Sequence, residues 1–190
     1  MARWEPNAPQ RLVLAALDLF AEQGYDNTTV AQIAGRAGLT KATFFRYFPD
    51  KREVLFAGQQ VHSRLVADGV AAAPDSATPL EAVAAALDAL TASFTAEQRE
   101  FAPRLVTVIA DNPELQERAT FKRAALAAAL TSALAKRGVP DLTASLAADL
   151  GARAFGRAFE RWIEPSSQRA LPELAREELQ VLRTATASLG

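Results

Sequence analysis

Residues 24–51 read GYDNTTVAQIAGRAGLTKATFFRYFPDK. Two short helical segments are legible in this stretch. Thr29-Val-Ala-Gln32 has the form of a capping box, a hydroxyl at the N-cap and a Gln three residues on, and Val30, Ile33, Ala34 and Ala37 then share one apolar side. Gly38 stops that helix as a C′ glycine does. Only Gly38 and Leu39 precede Thr40, whose hydroxyl is placed to cap a further helix carrying Lys41, Ala42, Thr43, Phe44, Phe45, Arg46, Tyr47 and Phe48, which Pro49 terminates. A helix, a tight glycine turn and another helix make a helix-turn-helix, placed at residues 32–51.

Reading outward, Leu12, Ala15, Ala16, Leu19 and Phe20 form one stripe of a helix over residues 9–23, ended by Gly24. On the other side, Asp50-Lys-Arg-Glu53 reads as a second capping box opening a long fourth helix toward Ala72. Residues 74–79 look like a seam between two units. Thr78-Pro79-Leu80-Glu81 then opens a helix to about Phe94, and similar punctuation places others at residues 100–110, 113–137, 141–164 and 171–188. Alanine and leucine dominate and β-branched residues are sparse, so the fold class is all-α, with about nine helices. The pattern divides into a helix-turn-helix domain over residues 1–52 and a second helical domain over residues 53–190.

The chain has 190 residues, no cysteine and a single histidine, His62. Disulfides, thiolate metal sites and thiol nucleophiles are thereby excluded, a histidine triad is disfavoured, and no cofactor, metal or catalytic residue is expected. The most apolar run, residues 124–135, is too short for a bilayer, which needs roughly 20 residues. Residues 1–9 lack an apolar stretch followed by a small-residue cleavage site, so no membrane association is expected and the cytoplasm is the expected location. The net charge is −1, yet residues 27–52 hold Arg36, Lys41, Arg46, Lys51 and Arg52 against Asp50 alone, a local balance of +4.

Gly24-Tyr25, Thr28-Thr29, Ile33-Ala34, Ala37-Gly38, Thr43, Tyr47-Phe48 and Lys51 stand together at a spacing that resembles the DNA-binding segment of the tetracycline-repressor (TetR) family. The resemblance covers about the first third of the chain. It implies a DNA-binding transcriptional regulator, a repressor released from a palindromic operator by a small ligand, and a homodimer with a four-helix seam. Residues 103–119 and 152–165 are also similar to the C-terminal domains of regulators like the mycofactocin regulator. That branch implies an apolar, acyl-CoA-like ligand.

In a helix-turn-helix the second helix enters the major groove, where base edges specify and phosphates position. Phe44 and Phe48, four residues apart, are expected to face the core with Leu39, leaving Lys41, Ala42 and Phe45 on the opposite side. Lys41, Ala42, Thr43 and Phe45 are the base-reading candidates: Lys41 donates to guanine or phosphate, and small or apolar groups meet a thymine methyl. Thr29, Thr40, Tyr47 and Lys51 are expected at phosphates, with plain capping the alternative for the two threonines and solvation for Lys51. Arg46, like Arg3, is either a backbone contact or solvated. The resemblance implies tyrosine where Phe45 stands, so one hydroxyl of the family set is missing.

In the second domain, Phe94, Phe101, Leu105, Val108, Ile109, Phe121, Phe155 and Phe159 are candidate walls of a ligand pocket, with Arg104, Asn112 and Arg153 as polar handles. Leu142, Leu146, Leu150, Trp162, Leu174 and Leu182 are candidates for the dimer interface. Periodicity alone leaves interface, pocket and solid core open for these residues, and His62 reads as a connector residue. The partners expected are double-stranded operator DNA, a second copy of the chain and a small apolar effector. The alternative is a constitutive or architectural DNA-binding protein without an effector.

Overall fold

Seven apolar side chains of the first helix, α1 (Ala8–Gln23), are buried, and they include the whole stripe read from the sequence. Gly24 ends it at φ 83° with its N–H on the Phe20 carbonyl. The computed structural model describes residues 7–189, and among them all regular structure is helical. Next come α2 (Val30–Arg36) and α3 (Lys41–Tyr47). The capping box forms as read: Thr29 Oγ1 accepts from the Gln32 N–H and the Gln32 side chain accepts from the Thr29 N–H. Gly38 takes φ 67°, and the Leu39 N–H returns to the Ala34 carbonyl at 2.8 Å.

Two boundaries differ from those read in the sequence. Phe48 lies outside α3 in an extended conformation, because a residue preceding proline is pushed out of the helical region by the proline ring. Asp50 does cap the Glu53 N–H at 3.1 Å, but it opens only a single 3-10 turn, Arg52–Phe56. Gly58, at φ 90°, interrupts the chain before α4 (Gln59–Ala72) starts. The long fourth helix is therefore shorter and begins later.

The remaining helices are α5 (Pro79–Thr91), α6 (Ala96–Ala110), α7 (Pro113–Lys136), α8 (Asp141–Ile163) and α9 (Leu171–Ala187). The chain forms two compact units, one of residues up to 57 with 101–120, the other of residues 58–100 with 121–189. In the first, Leu12, Leu17, Ile33, Phe44 and Val54 are fully buried, joined by Val108 and Leu115.

In the second unit α4, α5, α8 and α9 pack around Val66, Leu87, Leu90, Leu130, Leu134 and Leu174. A Cβ on Gly69 would stand 2.6 Å from the Ala86 Cα, so α4 and α5 cross with backbones touching. Residues 74–79 are no seam: they are a turn inside this unit, where Arg137 donates to the Val70, Ala73 and Pro74 carbonyls and holds the end of α4. Glu178, buried between α8 and α9, accepts from Arg157 and Arg161.

Candidate nucleic-acid interface

The outward face of α3 is built by what its inward face buries. Phe44 and Phe48 are buried, their rings 5.6 Å apart, so the residues between and around them are turned to solvent. Thr40 Oγ1 caps the helix, accepting from the Thr43 N–H at 3.1 Å, and lies 2.9 Å from the Thr43 hydroxyl. Lys41 and Ala42 are exposed, Thr43 is half-buried, and Phe45 keeps 47 % of its surface in water. The Lys41 ammonium stands 5.8 Å from the centre of the Phe45 ring, and the Arg46 guanidinium 5.0 Å from that of Tyr47. Thr29 is exposed at the start of α2, engaged in its capping box.

Lys51 behaves differently from the expectation. Its ammonium donates to the carbonyls of Tyr25 at 2.7 Å and Thr28 at 3.0 Å, and sits 3.9 Å from the centre of the Tyr25 ring. Burial holds its pKa below the usual lysine value. It pins the loop between α1 and α2 with two of its three N–H donors. The basic surface is correspondingly smaller than the charge balance of +4 suggests. Arg36 makes a two-toothed pair with Glu22 at 2.7 and 2.9 Å, and Arg52 pairs with Asp50 at 3.0 Å. Of the five basic residues in this stretch, Lys41 and Arg46 are the ones carried by α3. Arg3 lies outside the described residues.

Residues 12–57 match the family described as bacterial regulatory proteins, tetR family. The match covers the first unit's α1, α2 and α3, about a quarter of the chain. The chain is 38 % identical over 103 residues to the HTH-type transcriptional regulator BetI of Rhizobium meliloti (strain 1021), covering 54 % of the chain and 48 % of BetI. It is 35 % identical over 80 residues to the HTH-type transcriptional regulator TcmR of Streptomyces glaucescens, covering 42 % of the chain and 35 % of TcmR. The matched stretches thus span about half or less of these relatives. The fold also resembles that of FadR from Thermus thermophilus, a TetR-family transcriptional repressor solved in complex with lauroyl-CoA, with a TM-score of 0.51, 24 % identity and coverage of 92 % of this chain and 93 % of that one.

The residues read as one set of pocket walls are not brought together. Phe101, Leu105, Val108 and Ile109 pack on the core of the first unit, where Arg104 pairs with Asp18 and the Asn112 side chain accepts from the Leu115 N–H. Nothing in the residue pattern signals this, because a helix stripe does not name the surface it covers. Phe94, Phe155 and Phe159 do meet, in the second unit, with Trp162; Phe94 also stacks on His62 at 5.4 Å, and burial holds the His62 pKa down. Phe121 and Arg153 are exposed.

The interface candidates divide as well. Leu142 and Leu146 are 73 % and 58 % exposed on α8, joined by Val181 on α9, which the leucine period does not pick out. Leu150 and Leu182 lie half-buried against the core. Trp162 and Leu174, at 5 % and 1 % exposure, are inside it and have no surface to offer a partner.

Proposed function

We propose that the protein is a homodimeric transcriptional regulator that binds a palindromic operator through the outward face of α3 and is released from it by a small apolar or acyl-like ligand. The observation that carries the DNA-binding reading is the geometry of α3: a short helix anchored by Phe44 and Phe48 that presents Thr40, Lys41, Ala42, Thr43 and Phe45 on one open face. Such a face suits the major groove, which admits a helix and displays base-edge donors, acceptors and methyl groups. Arg46 and Tyr47, stacked beside it, and Thr29 are assigned to the flanking backbone. The match to the tetR family over the same residues supports the reading.

Dimerisation is assigned to the apolar side chains that α8 and α9 leave in water, Leu142, Leu146 and Val181. The ligand is assigned to the second unit, around the ring cluster of Phe94, Phe155 and Phe159; the lauroyl-CoA complex of FadR supports an acyl-like guest. Among the described residues no helix is long and apolar enough to cross a membrane. Action on DNA in the cytoplasm belongs to the same proposal.

Selection of bound sequences from a random DNA pool tests the proposal. The expected product is a palindrome with half-sites about one helical turn, roughly 34 Å, apart. Enrichment of no sequence would overturn it. A gel-shift titration of that operator complex with medium- and long-chain acyl-CoA then tests release, and a complex indifferent to all of them would remove the acyl-like ligand from the proposal.

A further inference from the structure

Gly69, Gly151 and Gly156 lie inside helices of the second unit, and the first two are required by neighbours in the same chain. A Cβ on Gly69 would meet the Ala86 backbone at 2.6 Å, and one on Gly151 would meet Val83 Cγ1 at 2.5 Å. Gly156, in the interior of α8, has nothing within 4 Å of the place its Cβ would take, although glycine is a poor helix former. The same outward stripe of α8 carries charges that the chain leaves alone. Arg157 and Arg161 are held by glutamates of α9, whereas Asp149, Arg153 and Glu160 are exposed and take part in no ion pair among the described residues. With Leu142 and Leu146, 73 % and 58 % exposed, these residues follow one another in alternating steps of four and three: 142, 146, 149, 153, 156, 160. That alternation is the seam of a coiled coil, the stripe along which one helix faces another.

The seam is symmetrical about Gly151. Set antiparallel to a copy of itself at that level, it brings 142 opposite 160, 146 opposite 156 and 149 opposite 153. Building on the homodimer of the proposed function, we infer that α8 meets α8 of a second copy in this register, with Leu146 seated on the partner's Gly156 and Asp149 paired with the partner's Arg153. Each contact is made twice, as a two-fold axis requires. The open space at the glycine is the hole that the leucine fills. A parallel pair would set Asp149 against Asp149 and Arg153 against Arg153, and an antiparallel pair centred on either residue would do the same for that one. Like charges brought together in an interface cost affinity, so the charge order selects this orientation and this register. A charged residue at a seam position thereby acts as a register key, while the leucines supply apolar contact. It also selects the partner, because a helix with the leucines but without this charge order is rejected.

The experiment is sedimentation velocity on the full chain, with circular dichroism verifying that each variant is folded, as exposed positions lead one to expect. Arg153→Glu leaves only acids at the two central positions and Asp149→Arg only bases, so each alone is expected to dimerise at least about a hundredfold more weakly than the parent. Mixed in equal amounts, the two variants set opposite charges against each other at both central contacts and should sediment as a dimer. Gly156→Leu changes no charge and meets open space in its own chain; it is expected to weaken the dimer by closing the seat of Leu146. Either charge variant dimerising as tightly as the parent overturns the inference, as does a mixture that stays monomeric or a Gly156→Leu dimer as tight as the parent's. A monomeric parent overturns the homodimer of the proposed function and this inference with it, whereas a parent dimer indifferent to these substitutions overturns the inference alone.

Discussion

Lys51 holds its ammonium between two backbone carbonyls and against the Tyr25 ring, so a structural role is expected of it. Lys51→Met is expected to lower the stability of the chain by about 1–2 kcal/mol, read from urea unfolding, because two carbonyls lose a charged donor. The salt dependence of operator binding should stay that of the parent; a phosphate-bound lysine would instead reduce its slope by about one with stability unchanged. His62 offers a second residue-level test. Burial holds its pKa below the ordinary 6.5, so the unfolded chain takes up the proton first as the pH falls. Stability present above pH 6.5 is therefore lost as the pH drops through that value toward the folded-state pKa. As this is the sole histidine, the melting temperature should fall between about pH 7.5 and about pH 5.5 in the parent and fall less in His62→Phe, which keeps a ring on Phe94. Equal falls in both proteins would assign the pH dependence elsewhere. Neither role is legible in sequence: a lysine after a helix-turn-helix and a histidine on a helix carry no mark of the carbonyls or rings that tertiary packing brings to them.

At the scale of elements, the capping boxes at Thr29 and Thr78 and the glycine stops at Gly24 and Gly38 form as read, because each depends on residues within four positions along the chain. The displaced boundaries lie where two local signals compete. At Phe48 helix propagation loses to the proline after it, and beyond Asp50 a good cap opens only a 3-10 turn that Gly58 cuts off. The partner of a stripe is a longer-range fact, which is why residues 101–109 have the period of a pocket wall while they pack on the first unit. The α8–α9 pair shows what such packing contributes. The Glu178 side chain is 3 % exposed; burial alone would raise its pKa, and the bonds from Arg157 and Arg161 outweigh that and hold it low. Glu178→Ala is expected to destabilise the chain by about 2 kcal/mol in chemical unfolding, since two arginines lose their acceptor. Glu178→Met should recover much of this, because Arg157 is half-exposed and can turn to water. A Glu178→Ala variant as stable as the parent would show that the two helices need no such clasp.

For the whole molecule, the proposal requires two reading helices held at one spacing, and Leu142, Leu146 and Val181 are the apolar groups assigned to that seam. Replacing Leu142 and Leu146 together by Glu is expected to turn a dimer into a folded monomer in sedimentation velocity, with operator affinity lowered by at least about tenfold because half-site binding is no longer linked. A double variant that still sediments as a dimer would move the seam elsewhere. The exposed position of these two leucines is not separable in sequence from the buried one of Leu174, since all three sit on apolar stripes of helical period. Finally, the contact at Gly69 acts as a mechanical stop. With backbone against backbone, α4 has no slack in which to press closer to α5, so whatever strain a guest molecule exerts on the second unit can rotate the pair like the blades of scissors but cannot compress it. Distances measured near this pivot should therefore stay constant while those toward the helix ends open and close, and a chain without cysteines takes paired spin labels at chosen positions with no background.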